Sequence, residues 1–154
     1  MSAFVALSIF SNAQTLAEAI QKTLSERFES AEADLNGLIA KEPTVAINYA
    51  AAGYNNLYWG VSDQDDAIEL AEKMEAAEKL FRKGIEIAPT SPLCHVGLGH
   101  LMAFLKDANG CNAQFAKAEE IMNTKSNKVD KLTKQQALLK MAEACMIANN
   151  VQLE

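Results

Sequence analysis

Four residues recur along this 154-residue chain with their spacing intact. Ala77, Phe81, Gly84 and Pro89 are separated by four, three and five positions. The same steps relate Ala31, Leu35, Leu38 and Pro43, each 46 positions earlier, and Cys111, Phe115, Ala118 and Asn123, each 34 positions later. Gly53 and Gly99 are also 46 apart. Steps of four and three keep side chains on one face of an α-helix. A proline after such a stripe ends the helix, because it cannot donate to the hydrogen-bond ladder. Self-similarity at a fixed period marks stacked supersecondary units, none of which buries its apolar face alone. An all-α chain of repeated helical hairpins is therefore expected.

The pattern is helical from Gln14 onward. Leu16, Ile20 and Leu24 form one stripe, and Ser25 marks a polar break before Phe28. Ala31, Leu35 and Leu38 carry the second helix, which stops before Pro43. Val45 to Trp59 reads as the third, with Gly53 in its middle. A mid-helix glycine costs about 1 kcal/mol against alanine, so a close approach of a neighbouring helix is implied. Gly60 to Asp66 is the next turn, with Ser62 or Asp63 as expected caps. The fourth helix then keeps phase through Ala71, Met74, Ala77 and Leu80 to about Ala88. Its unit is twelve residues longer than the next, an excess expected as about three extra helical turns shared with the third helix and the loop. Pro92 to Lys106 and Asn112 to Met122 form a further hairpin, joined through Asp107-Ala108-Asn109-Gly110. After a polar connection, a final helix from about Leu132 to Asn149 sets Leu138, Met141, Ala142 and Cys145 where a fourth unit would have its first helix.

The 34-residue period, the A-x3-F helix followed by proline, and the Leu98-Gly99 dipeptide in the partner helix resemble the tetratricopeptide repeat (TPR), over about residues 14 to 149. His95 and Met102 stand where the family has Trp and Tyr, and the second unit is enlarged. Ala88-Pro89-Thr90-Ser91-Pro92 leading into His95-Val96-Gly97-Leu98-Gly99 is similar to TPR proteins exported by Bacteroidetes-type bacteria, which tend to be longer chains. The resemblance implies a right-handed, TPR-like α-solenoid of about three hairpins plus a final helix, whose first helices line a concave groove. It implies no ligand.

Fourteen Lys and Arg against 20 Asp and Glu give a net charge of −6, without the clustered basic surface that phosphates require, so nucleic acid is not an expected partner. Cys94, Cys111 and Cys145 form no CxxC pair, and His95 and His100, five apart, point in different directions on one helix. Neither a metal nor a cofactor is expected. Asp63, Asp65 and Asp66 resemble the start of a calcium loop but lack its glycine and distal glutamate, and read better as a solvated capping cluster. Phosphate loops and nucleophile elbows are absent from the sequence, so a non-catalytic protein is expected. The groove-facing positions implied for the first helices are Ala50, Tyr54, Leu57 and Tyr58 in the second unit, and Val96, His100, Ala103 and Phe104 in the third. That groove is aromatic and almost uncharged. It suits an apolar or amphipathic peptide and lacks the Lys, Asn and Arg with which TPR domains clamp an acidic C-terminal carboxylate. The alternative is that a neighbouring helix, such as the final one, covers these aromatics.

Residues 1–13 differ from the rest. Ala3 to Phe10 is an apolar run the length of a signal-peptide core, and Ser11-Asn12-Ala13 resembles a small-residue cleavage site. The segment reads as a signal-peptide remnant without its usual basic start, or else as a short N-terminal helix packing on the first repeat. Export to the periplasm or cell envelope follows from the first reading, with a cytoplasmic location as the alternative, and free cysteines weigh mildly against export. No membrane span is expected. With residues 14–154 as the repeat domain, the expected function is a protein–protein interaction scaffold or adaptor holding a peptide or partner helix. A small acidic secretion-type TPR chaperone is one alternative. A self-associating module, a homodimer through the C-terminal helix, is another.

Overall fold

A computed structural model describes residues 15–62 and 66–150, so the expectations for residues 1–13, Asp63 and Asp65 lie outside the described residues. The described chain is all-helical, with no strand among the described residues. Its helices are α1 (residues 15–24), α2 (Phe28–Lys41), α3 (Ala46–Ser62), α4 (Ala67–Ile87), α5 (Pro92–Phe104), α6 (Ala108–Asn123) and α7 (Lys131–Asn150), with a 3-10 turn at Lys125–Asn127.

Local chemistry sets the boundaries. Glu26 takes a left-handed φ of 57° after α1, and Arg27 N–H returns to the Lys22 carbonyl at 2.9 Å, closing the helix end. Pro92 opens α5, where a missing N–H costs nothing. The cap of α4 is Asp66 and not Ser62: α3 runs on to Ser62, and Asp66 accepts from the N–H groups of Ile68 and Glu69, both at 3.0 Å. Nor does Asn109-Gly110 form the turn between α5 and α6. Asp107 accepts from the Gly110 N–H at 2.9 Å, which draws both residues into the first turn of α6. The turn falls instead on Leu105 to Asp107, with Lys106 at φ 62°. The longer unit is helical as expected, α3 and α4 having 17 and 21 residues against 13 and 16 in α5 and α6.

Residues at the recurring positions on the even-numbered helices are buried: Ala31, Leu35 and Leu38; Ala77, Phe81 and Gly84; Cys111, Phe115 and Ala118. Helices from α2 onward pack on their neighbours in chain order, and α3 also packs on α5, as α5 does on α7. The buried Thr23 hydroxyl donates to Asn55 Oδ1 at 2.7 Å and ties α1 to α3. The odd-numbered helices thus form a row, backed by α2, α4 and α6. Phe81 of α4, fully buried, lies with its ring against Gly53 of α3 and Gly97 of α5. A Cβ built on Gly53 would stand 2.5 Å from that ring, and one on Gly97 closer still. On α7, Ala137, Met141 and Ala144 are buried, whereas Leu132, Leu138, Leu139 and Met146 are more than half exposed. Met141 therefore belongs to the inner face of α7, and Leu138, Ala142 and Cys145 to the outer side.

Two alanine substitutions test this packing. Gly97→Ala should lower stability by about 1–3 kcal/mol, the usual cost of over-packing, despite the gain in helix propensity. Gly37, exposed on α2 with nothing within 4 Å of an added Cβ, should instead gain about 0.5–1 kcal/mol as Gly37→Ala. Urea unfolding measures both, and equal shifts for the pair would show that Phe81 is not clamped.

Candidate functional site

Between α1, α3, α5 and α7 the row of odd-numbered helices leaves an apolar hollow of about 160 Å³. Its floor is one face of α3, where Ile47, Ala50, Ala51, Tyr54 and Tyr58 recur at helical steps. Ala50 and Ala51 create the space, because any larger side chain there would occupy it. Ile20 and Leu24 of α1 form one wall, Leu93 of α5 another, and Gln136 and Lys140 of α7 the last. Ile20, Leu24 and Ile47 are 37%, 61% and 38% exposed, so the apolar lining continues outward as a rim.

A polar latch holds α7 across this row. Lys140 Nζ donates to the Tyr58 hydroxyl at 2.5 Å and to Glu143 Oε2 at 2.7 Å, and the Tyr58 hydroxyl donates to the same carboxylate at 3.3 Å. The ammonium also stands 4.9 Å from the Tyr58 ring centre and 5.3 Å from that of Tyr54, within cation–π range. Burial opposes the charge on Lys140, yet its bonds to Glu143 and Tyr58 hold its pKa above the ordinary lysine value. Burial likewise raises the Tyr58 pKa, against the pull of Lys140.

Behind the latch lies an aromatic nest. Tyr54 meets Phe81 edge-on at 5.3 Å and His100 at 5.9 Å, and His100 stacks flat on Phe104 at 5.5 Å. The Tyr54 hydroxyl and both ring nitrogens of His100 have no protein hydrogen-bond partner. Burial drives the Tyr54 pKa well above its ordinary value. Burial, assisted by the Lys140 ammonium and opposed by Glu143, lowers His100 to about 4, so the imidazole is neutral at pH 7. Cys94, pushed up by burial, hydrogen-bonds weakly to the Ala46 carbonyl at 3.5 Å. His95 lies apart, with Nδ1 2.8 Å from Gln114 Oε1 and Nε2 3.3 Å from the Pro89 carbonyl. Among the described residues no three His, Cys, Asp or Glu side chains gather as metal ligands, and no helix is long and apolar enough to cross a membrane.

Of the residues expected in the groove, Ala50, Tyr54 and Tyr58 line the hollow. Leu57 does not, because the lengthened α4 covers it with Met74, Ala77 and Phe81. Val96 and Ala103 are buried in the cluster that includes Ala137, Met141 and Ala144 of α7, so the final helix covers much of the α5 face. His100 is buried in the aromatic nest, and Phe104 is half-buried on top of it. Ile47 was legible as the same face of α3 extended one turn back, and Ile20 and Leu24 as the stripe of α1. Nothing in the sequence pointed to Lys140, a charged residue 82 positions from its partner Tyr58. No protein-family model matches the chain, and no curated protein is significantly similar to it.

The neutrality of His100 has a pH signature. Its folded pKa of about 4 lies below the ordinary 6.5, so the unfolded chain takes the proton first as pH falls. The stability due to this group is complete above about pH 6.5 and is lost progressively towards pH 4, about 2–3 kcal/mol of it by pH 4.5. His100→Leu should flatten the dependence by that amount relative to wild type, in urea unfolding at pH 7 and pH 4.5, since the carboxylates titrate in both proteins. Equal slopes would place His100 in contact with solvent.

Proposed function

We propose that this chain is a non-catalytic protein–protein interaction scaffold, built as a right-handed TPR-like α-solenoid, that takes an apolar peptide or partner helix into the groove of its odd-numbered helices. The observation that carries this reading is the hollow between α1, α3, α5 and α7, apolar inside and continued outward by exposed Ile20, Leu24 and Ile47. Contiguous exposed apolar surface of this kind marks binding sites, and a groove between packed helices is a recurring receptor for peptides. The repeat reading is supported by burial at every recurring small and aromatic position of α2, α4 and α6. Display selection of random peptides on the full chain should enrich apolar sequences with micromolar affinity. Ile47→Asp should weaken them about ten-fold or more, since a charge cannot be desolvated at that apolar edge of the floor without a partner. Selected peptides indifferent to Ile47→Asp would locate binding elsewhere and overturn the reading.

Self-association through α7 is a second reading, favoured by the exposure of Leu132, Leu138, Leu139 and Met146 along that helix. Sedimentation should then give a dimer for the wild type and a monomer for Leu138→Glu. A monomeric wild type at high concentration would remove this possibility.

A further inference from the structure

Resting on the groove-binding reading, we propose that the hollow is an anchor pocket for one neutral side chain of phenylalanine or leucine size, carried by a partner peptide. Volume sets the size. A space of about 160 Å³ is close to the cavity of about 150 Å³ that holds a single benzene ring, and an indole is larger than that. Wall chemistry sets the polarity. Ile20, Leu24, Ile47, Ala50, Ala51 and Leu93 make most of the lining. Of the polar groups beside them Thr23 is bonded to Asn55, and Tyr54 and Gln136 are neutral, so a charged anchor would lose its hydration without an opposite charge to replace it. Lys140 does not reverse this preference, because its ammonium is already engaged by Glu143 at 2.7 Å and Tyr58 at 2.5 Å. The rim sets the source. Leu24, 61% exposed, and Ile47 extend the apolar surface beyond the hollow. A free single-ring molecule filling the hollow would leave that rim in water, whereas a peptide bearing the ring covers it.

The probes are N-acetyl methylamides of Phe, Leu, Trp and Asp, together with phenol, titrated into the full chain and followed by amide chemical shifts. The Phe and Leu derivatives should saturate and shift the amides of Ala50, Ala51 and Leu93, while the Trp and Asp derivatives leave them in place. Ala50→Leu should abolish binding by filling the hollow. Leu24→Asp, on an exposed rim and safe for folding, should weaken it about ten-fold. No shift at these amides, or equal binding of the Trp or Asp derivative, would overturn the proposal. Phenol binding as tightly as the Phe derivative and indifferent to Leu24→Asp would overturn the peptide source in favour of a free small molecule. Peptides selected at the groove without a Phe or Leu preference would overturn the anchor and leave groove binding intact. Failure to select any peptide would overturn both.

Discussion

The Phe81 ring, lodged between the backbones of Gly53 and Gly97, fixes how closely α3, α4 and α5 approach one another. Burying such a ring contributes about 2–3 kcal/mol. A glycine at both positions also removes side chains that would otherwise hold α3 and α5 away from the ring. Glycine in the middle of α3 and α5 is unfavourable for either helix alone, so the packing of the ring is what makes it tolerable. The same ring meets Tyr54 edge-on at 5.3 Å. The core contact that spaces the row of odd-numbered helices therefore also orients an aromatic part of the floor of the hollow.

At the other end of that row the join is polar. Asn55, fully buried, accepts from Thr23 of α1 and donates to the Phe28 carbonyl at the start of α2 at 3.1 Å. One side chain thus sets both the position of α1 and the entry of α2. A satisfied buried amide demands specific geometry where an apolar contact tolerates sliding. Ala19 and Leu16 pack α1 on the core and Asn55 ties it to α3, while Ile20 and Leu24 stand at the rim.

The even-numbered helices were the most legible part of the chain. Ala31, Leu35, Ala77, Phe81, Cys111 and Phe115 recur because they answer one packing problem repeatedly, and such positions leave a period in the sequence. Helix ends were less legible, since Asp66 and Asp107 compete with nearby Ser62, Asp63 and Asn109 as caps or turn formers, and only backbone geometry chooses among them. The site was legible in half. Tyr54 and Tyr58 stand on a periodic face, but the cover over Val96 and Ala103 comes from α7, a helix apolar on two sides whose pattern does not declare which side turns inward. Lys140 left no signal because its role exists only in the tertiary structure.

The two sides of the hollow are consequently held by different physics. Phe81 and its glycines fix α5 against α3 through dense apolar packing. On α7 the buried apolar residues are mostly small, Ala137 and Ala144 beside Met141, and alanine burial contributes little per residue. Nearby, the Tyr54 hydroxyl and the His100 nitrogens lack protein partners, at about 1–3 kcal/mol for each such group. α7 is seated chiefly on α5, and its reach across to α3 is the bond from Lys140 to Tyr58, which Glu143 on the same helix reinforces with charge-assisted, directional hydrogen bonds. Core packing sets the depth of the hollow, and a polar latch sets its width.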